Sequence, residues 1–357
     1  MHEYDYKTFP EKLLTPEIVS MLTTLHEYKG RQEYYLEAKP DILTALVDAA
    51  KIRSTGASNR IEGIFTNDNR LAAIVKENAA PTNRSEAEIA GYKDVLATIH
   101  ESHDSIPITP NVILQLHRNL FSFTSASDGG KFKNADNLIM QIDKSGIPNI
   151  RFVPVPAFET PEAVENLCSS FNATLSSNAL DPLLLTQMFV FDFLCIHPFN
   201  DGNGRLSRLL TLLLLYQCGY VAGKYISIES IIEDSKETYY KALKASSTGW
   251  SDSQGDYIPF ITYSLGVIIK AYREFEDRVA DVRRKSVAKT ITKSDRIKAF
   301  FDKKPGKITK ADILSLCPDI SQTTVERTLS ELLTKGYIEK SGRGRATYYK
   351  KVVNLEG

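Results

Sequence analysis

The sequence predicts a mainly α-helical protein in which a helical core carries one β-hairpin flap. Three observations predict it. Apolar residues recur at three- and four-residue intervals through most of the chain, Pro and Gly fall between these segments rather than inside them, and two central segments are apolar on nearly every face.

In chain order, residues Thr15 to Tyr28, Lys39 to Ser54 and Ser85 to Glu101 have the periodicity of amphipathic helices packed on a core. Between Gly130 and Pro156 the pattern changes to two short strands around a turn at Lys144 to Pro148, the first over Asn137, Leu138, Ile139, Met140, Gln141 and Ile142, the second from Ile150 to Pro156. Asp181 to Ile196 has apolar residues all round, as a fully buried central helix requires. A second apolar helix is predicted from about Arg205 to Gln217, with Gly219 as its stop. Tyr257 to Val287 reads as one long helix that becomes charged at Arg283-Arg-Lys. After Thr290 come three short helices, at Ser294 to Asp302, Lys310 to Leu316 and Gln322 to Lys335, then two strands joined by a basic glycine turn. The predicted divisions are an N-terminal helical extension at 1–84, a core at 85–263, a helical linker at 264–289 and a C-terminal module at 290–357.

The chain of 357 residues is 42% apolar and 25% charged, with 44 basic and 44 acidic side chains, which argues against coating of nucleic acid or acidic membrane along its length. The first residues show no secretory signal, and the longest apolar stretch, Leu209 to Tyr216, is too short to cross a bilayer, so no membrane partner is expected. Cysteines 168, 195, 218 and 317 stand alone, which suits a reducing cytoplasm.

Chemistry concentrates at His197-Pro-Phe-Asn-Asp-Gly-Asn-Gly-Arg-Leu-Ser-Arg208, the connection between the two buried helices. A loop ending in Asp-Gly-Asn-Gly that opens a helix gathers unpaired backbone N–H groups at a positive dipole end, where phosphate oxygens are held. Arg205 and Arg208, three apart, are expected to point from one face toward successive phosphates. Asp201 offers a hard carboxylate for Mg²⁺ (or Mn²⁺), and a neutral His197 can take a proton from an attacking hydroxyl. Singly, each piece reads as a packed His, a turn or a solvated Arg. Together, eight specified residues in a twelve-residue window arise by chance on the order of once in ten billion windows.

This segment resembles the full signature of the Fic (filamentation-induced-by-cAMP) family, and the resemblance extends over roughly Ser85 to Tyr263. It implies a helical fold around the loop and transfer of AMP from ATP to a Ser, Thr or Tyr hydroxyl of a protein target or of the chain itself. By the same resemblance His197 is the general base, Asp201 the metal ligand, and Gly202, Asn203, Gly204 and Arg205 hold the α- and β-phosphates. Arg208 takes the γ-phosphate, with Leu206 and Ser207 in the same nucleotide-binding run. Asn137 to Met140 resembles the flap that holds the target as an added strand over the nucleotide. Tyr239, in Glu237-Thr-Tyr-Tyr-Lys, is the expected adenine contact, with core packing of Tyr239 and Tyr240 the alternative. Ser247 stands where many members carry an Asn.

Upstream, Ser58-Asn-Arg-Ile-Glu62-Gly63 resembles the family's inhibitory motif in its N-terminal class. A glutamate against Arg208 would occupy the space of the γ-phosphate; the same carboxylate also suits orienting water to remove AMP. Standing alone, the string reads as a helix cap with an exposed Glu.

From Thr290 onward, fourteen Lys and Arg face eight Asp and Glu. Three helices and a basic hairpin resemble a winged helix, with Gln322 to Lys335 as recognition helix and Gly342 to Arg345 as wing tip. DNA, a protein partner and a second copy of the chain are the open partners. Two rival functions stand beside protein adenylylation: transfer of another phosphate-containing group by the same fold, and a nucleotide-sensing transcription regulator. No P-loop or kinase catalytic loop is present, and His100-Glu-Ser-His103 is one residue short of the zinc-protease spacing.

Overall fold

The computed structural model describes residues 2–6, 10–38, 40–125, 129–142, 148–288, 293–303, 306–316, 320–342, 344 and 347–352. The order is α1 (Pro10–Leu13), α2 (Pro16–Ala38), α3 (Pro40–Ile61), α4 (Asp68–Glu77), α5 (Arg84–Ser102), α6 (Pro110–Leu120), β1 (Ile139–Ile142), β2 (Pro148–Phe152), α7 (Thr160–Ser177), α8 (Pro182–Ile196) and α9 (Asn203–Gln217). There follow α10 (Ile228–Asp234), α11 (Lys236–Ser247), α12 (Ile258–Ala288), α13 (Lys293–Lys303), α14 (Lys310–Leu316), α15 (Gln322–Thr334), β3 (Ile338–Ser341) and β4 (Tyr348–Lys351). The fold is mainly α, and no helix among the described residues is long and apolar enough to cross a membrane. Two compact units divide at 279/280.

In the first unit the core forms around α8, whose Leu183, Leu184, Leu185, Phe189 and Phe193 are fully buried. Asp181 caps its start by accepting from the Leu183 N–H at 2.8 Å, and Pro182 occupies the first turn, where no donor is needed. Helix α9 packs on α8, and its Leu206, Leu209, Leu210 and Leu213 are fully buried. These two helices therefore fix the loop between them from both ends. Strands β1 and β2 pair antiparallel, with Met140 opposite Ile150; the turn between them lies outside the described residues.

Two helices run longer than their periodicity suggests. Helix α2 reaches Ala38, and α3 continues past Ser54 to Ile61, through a stretch rich in Ser, Thr, Gly and Asn. Packing overrides weak propensity there: Ser54, Thr55, Ala57, Ser58 and Asn59 are buried, and a Cβ on Gly56 would stand 2.7 Å from Leu71.

One buried carboxylate ties three distant segments together. Asp192 of α8 accepts from Tyr6 Oη at 2.6 Å, Trp250 Nε1 at 2.7 Å and Tyr257 Oη at 2.9 Å. Its removal takes the acceptor from Tyr6 and Trp250 and the nearer partner from Tyr257, and a buried donor left unmatched costs about 1–3 kcal/mol. Asp192→Ala should therefore lower unfolding stability by about 3 kcal/mol or more in urea titration; a change below about 0.5 kcal/mol would show that these donors find other partners.

The second unit has its own core of Ile297, Phe301, Ile308, Ile313, Val325, Leu329 and Ile338. Helices α13 to α15 precede the β3–β4 hairpin, and Ile308 bridges to Tyr349. Of the basic turn, Arg343 and Arg345 lie outside the described residues.

Candidate active site

Helix α8 stops at His197, which takes the left-handed conformation (φ 51°, ψ 62°) and donates its N–H to Phe193 O at 3.0 Å. Pro198 follows and has no N–H with which to continue the helix. The imidazole Nδ1 lies 3.4 Å from Leu194 O. With Nδ1 donating to that carbonyl, Nε2 keeps the free lone pair.

Burial pulls the His197 pKa down to about 4, assisted by the positive charges of Lys133 and Arg151 and opposed by the Leu194 carbonyl and Glu62. The ring is therefore neutral at physiological pH, as a general base must be. The acidic limb of kcat/KM is expected near pH 4 rather than near 6.5. For stability, the folded value lies below the unfolded one, so the contribution is full above about pH 6.5 and is lost as pH falls toward 4. A limb near 6.5 in a pH–rate profile would show an open, solvated ring.

The loop beyond His197 is closed by Asn203, whose Oδ1 accepts from Phe199 N at 3.0 Å and whose Nδ2 donates to Phe199 O at 2.7 Å. Phe199 is buried and stacks on His117 of α6 at 3.7 Å and 3°. His117 Nε2 donates to Asp201 O at 3.0 Å, while Gly130 N–H donates to His117 Nδ1 at 2.9 Å. The sequence reading missed His117; its signal was a histidine among Ile113, Leu116 and Leu120 on the apolar face of α6. Gly202 sits at φ +82°, where a Cβ would also meet Phe121 at 2.9 Å.

Helix α9 begins at Asn203, so its free N–H groups and positive dipole end open beside Gly204. A carboxylate already occupies that position. Glu62 Oε1 would lie 2.2 Å from a Cβ on Gly204, and it accepts from Arg208 Nη2 at 2.8 Å. Arg208 also donates Nε to Ser58 Oγ and Nη2 to Ser58 O, both at 2.8 Å. Two further contacts hold the end of α3: Arg60 forms a two-pronged pair with Glu233 at 2.7 and 2.8 Å, and Lys236 Nζ donates to Ile61 O at 2.7 Å. Gly63 has φ +80° just beyond the helix.

Arg205 departs from the expectation that it shares a face with Arg208. Three residues turn a helix through about 300°, and that residual angle sends Arg205 into the protein. It is 1% exposed, 2.7 Å from Glu88 Oε2, 3.4 Å from Asp201 Oδ1 and over the Phe121 ring. Leu206 is likewise in the core, and Ser207 donates to Gly204 O at 2.8 Å, so neither side chain faces the cavity. The Asn203 side chain is spent on the loop.

The cavity holds about 760 Å³ and is bordered by Glu62, His197, Gly204 and Arg208 at its charged end. Phe191, Leu194, Cys195, Leu243 and Ser247 make the more apolar wall. The hairpin contributes Ile139, Met140, Arg151 and Phe152, whereas Leu138 is exposed and Asn137 bonds to Lys133 and Phe199 O. Tyr239 and Tyr240 both border the space, but Tyr239 is 5% exposed while Tyr240 is more open, with Arg151 5.1 Å from its ring. Arg151 and Tyr240 therefore join the site, although the sequence reading passed over the first and preferred Tyr239 to the second.

Asp201 is the remaining predicted residue. Its carboxylate is 59% exposed and accepts from Gly202 N–H at 2.6 Å. Among the described residues no three His, Cys, Asp or Glu side chains cluster as a metal cage. One exposed carboxylate suits Mg²⁺, which keeps its waters and takes phosphate oxygens as further ligands.

Residues 107–215 are matched by the model of the Fic/DOC family. The chain is 26% identical over 214 residues to the protein adenylyltransferase Fic of Nematostella vectensis, covering 58% of this chain and 44% of that one. It is 30% identical over 180 residues to the protein of the same name from Drosophila grimshawi, covering 49% and 32%. The chain thus spans less than half the length of these curated relatives. A Fic family protein from Desulfovibrio desulfuricans G20 superposes with a TM-score of 0.62 at 21% identity, covering 98% of this chain and 99% of that one. Fic-1 from C. elegans gives 0.59 at 18% identity, covering 77% and 76%. At these identities the likeness is one of fold.

Proposed function

We propose that this chain, which carries a Fic domain over residues 107–215, transfers AMP from ATP to a Ser, Thr or Tyr hydroxyl of a protein and holds itself in check through Glu62. The observation that carries this reading is the Glu62 carboxylate resting on the first turn of α9 and on Arg208, in one cavity with His197. A negative group sits where an anionic substrate would be held.

With Glu62 displaced, the N–H groups opening α9 would receive phosphate oxygens, and Arg208 would take the terminal phosphate as a charge-assisted partner. His197 Nε2 takes the proton of the attacking hydroxyl. The oxygen–phosphorus bond forms at the α-phosphorus, the α–β bridge breaks, and pyrophosphate leaves. Mg²⁺ or Mn²⁺, held by Asp201 and phosphate oxygens, would neutralise charge developing on the leaving group. Strand β1, with Met140 half exposed, is the edge on which an extended target segment would lie.

The test is the mass of the Glu62→Gly protein after incubation with Mg²⁺ and ATP. An adenosine monophosphate adduct on a Ser, Thr or Tyr supports the proposal. A phosphate adduct, or none on the chain or on proteins offered to it, points to one of the rivals. The C-terminal unit is read as a winged helix that docks a partner, with Glu326 and Glu331 exposed on α15 favouring a protein over DNA.

A further inference from the structure

We propose that Lys133 is a positioning residue, which fixes the turn carrying His197 and ties that turn to the flap. The inference rests on the reading of His197 as general base.

Lys133 is 3% exposed, and its ammonium donates to neutral oxygens, with the Asp136 carboxylate as the one nearby charge that favours its charged form. Its backbone N–H donates to Pro198 O at 2.9 Å, and its Nζ donates to Ile196 O at 3.1 Å and to Asn137 Oδ1 at 2.9 Å. Asn137 Nδ2 in turn lies 3.4 Å from Phe199 O. Three carbonyls around His197, at 196, 198 and 199, are thus held from the segment that leads into β1. Ile196 O belongs to the last turn of α8, where carbonyls have no helical donor and a cation is favoured by the dipole.

Burying an ammonium group costs several kcal/mol, and an apolar side chain of similar length would fill the same space without that penalty. His197 also sits in a left-handed conformation, which costs a non-glycine residue about 1–2 kcal/mol and persists only when its surroundings impose it. Of the two carbonyls flanking that residue, Ile196 O is held by the Lys133 ammonium and Pro198 O by its backbone N–H. Its positive charge faces His197 together with Arg151 from β2, against Glu62 from α3. Loss of the ammonium therefore both loosens the ring and makes it easier to protonate.

The experiment uses the full chain in the Glu62→Gly background. Lys133→Met should lower kcat about a hundredfold with the ATP KM within about threefold, and Lys133→Arg should restore most of it, because misplacement of a catalytic group by about 1 Å costs that much. Independently of turnover, NMR titration of the His197 imidazole should show its pKa rising in Lys133→Met by about one unit or more. An unmoved titration, or a kcat loss that merely tracks the unfolded fraction and that Arg does not rescue, overturns the proposal. If the Glu62→Gly parent transfers nothing, the adenylyltransferase reading has failed instead, and the titration still decides the role of Lys133.

Discussion

Glu62→Gly is expected to raise the rate of self-modification from ATP by about ten- to a hundredfold. The magnitude follows from the pair it removes: a hydrogen bond to a charged group contributes about 1.5–3 kcal/mol, and each 1.36 kcal/mol is a factor of ten in rate. Ser58 still holds Arg208 through two hydrogen bonds, so the guanidinium stays in place for a phosphate when the carboxylate goes. Glu62→Gln separates charge from bulk. It removes the ion pair but leaves an amide over Gly204, and should activate less than Gly. Equal or lower transfer by Glu62→Gly, measured with labelled ATP, contradicts the inhibitory reading.

His197→Ala in that activated background is expected to lower kcat by about 10²–10⁴, the range supplied by a positioned acid–base group. ATP affinity should change by no more than about threefold, since the proposed phosphate contacts are the opening of α9 and Arg208, with no imidazole among them. The split matters because a nucleotide-sensing regulator predicts something different. If His197→Ala binds ATP unchanged and the activated protein already transfers nothing, the cavity senses rather than catalyses. If affinity collapses with activity, His197 holds the loop or the nucleotide and is not the base.

Much of this was legible in the residues because the signals were local. The apolar run of α8 and the glycines around Asn203 each follow from nearby sequence. The Ser58–Glu62 string also gave a distance test, and Arg208 meets both of its ends. What sequence could not give was direction around a helix axis. Arg205 and Arg208 look equivalent at three-residue spacing, yet Glu88 of α5 draws one inward while the other faces the cavity. Lys133 and Arg151 were invisible for a related reason, and His117 showed only as a histidine on the apolar face of α6. Each acts through a partner between 50 and 90 residues away, or across the hairpin, and a lone Lys, His or Arg carries no periodic mark of that. The helix predicted to end at Ser54 runs on to Ile61 because its small polar residues are held helical by burial, which propensity does not register.

The most direct test of the central claim is a crystal structure of the Glu62→Gly protein with Mg²⁺ and a non-hydrolysable ATP analogue. The predicted result is a triphosphate lying across Gly202 to Gly204, with its last phosphate on Arg208 and its α-phosphorus facing His197 Nε2. A nucleotide bound elsewhere, or a cavity that stays empty with Arg208 turned away, would contradict it.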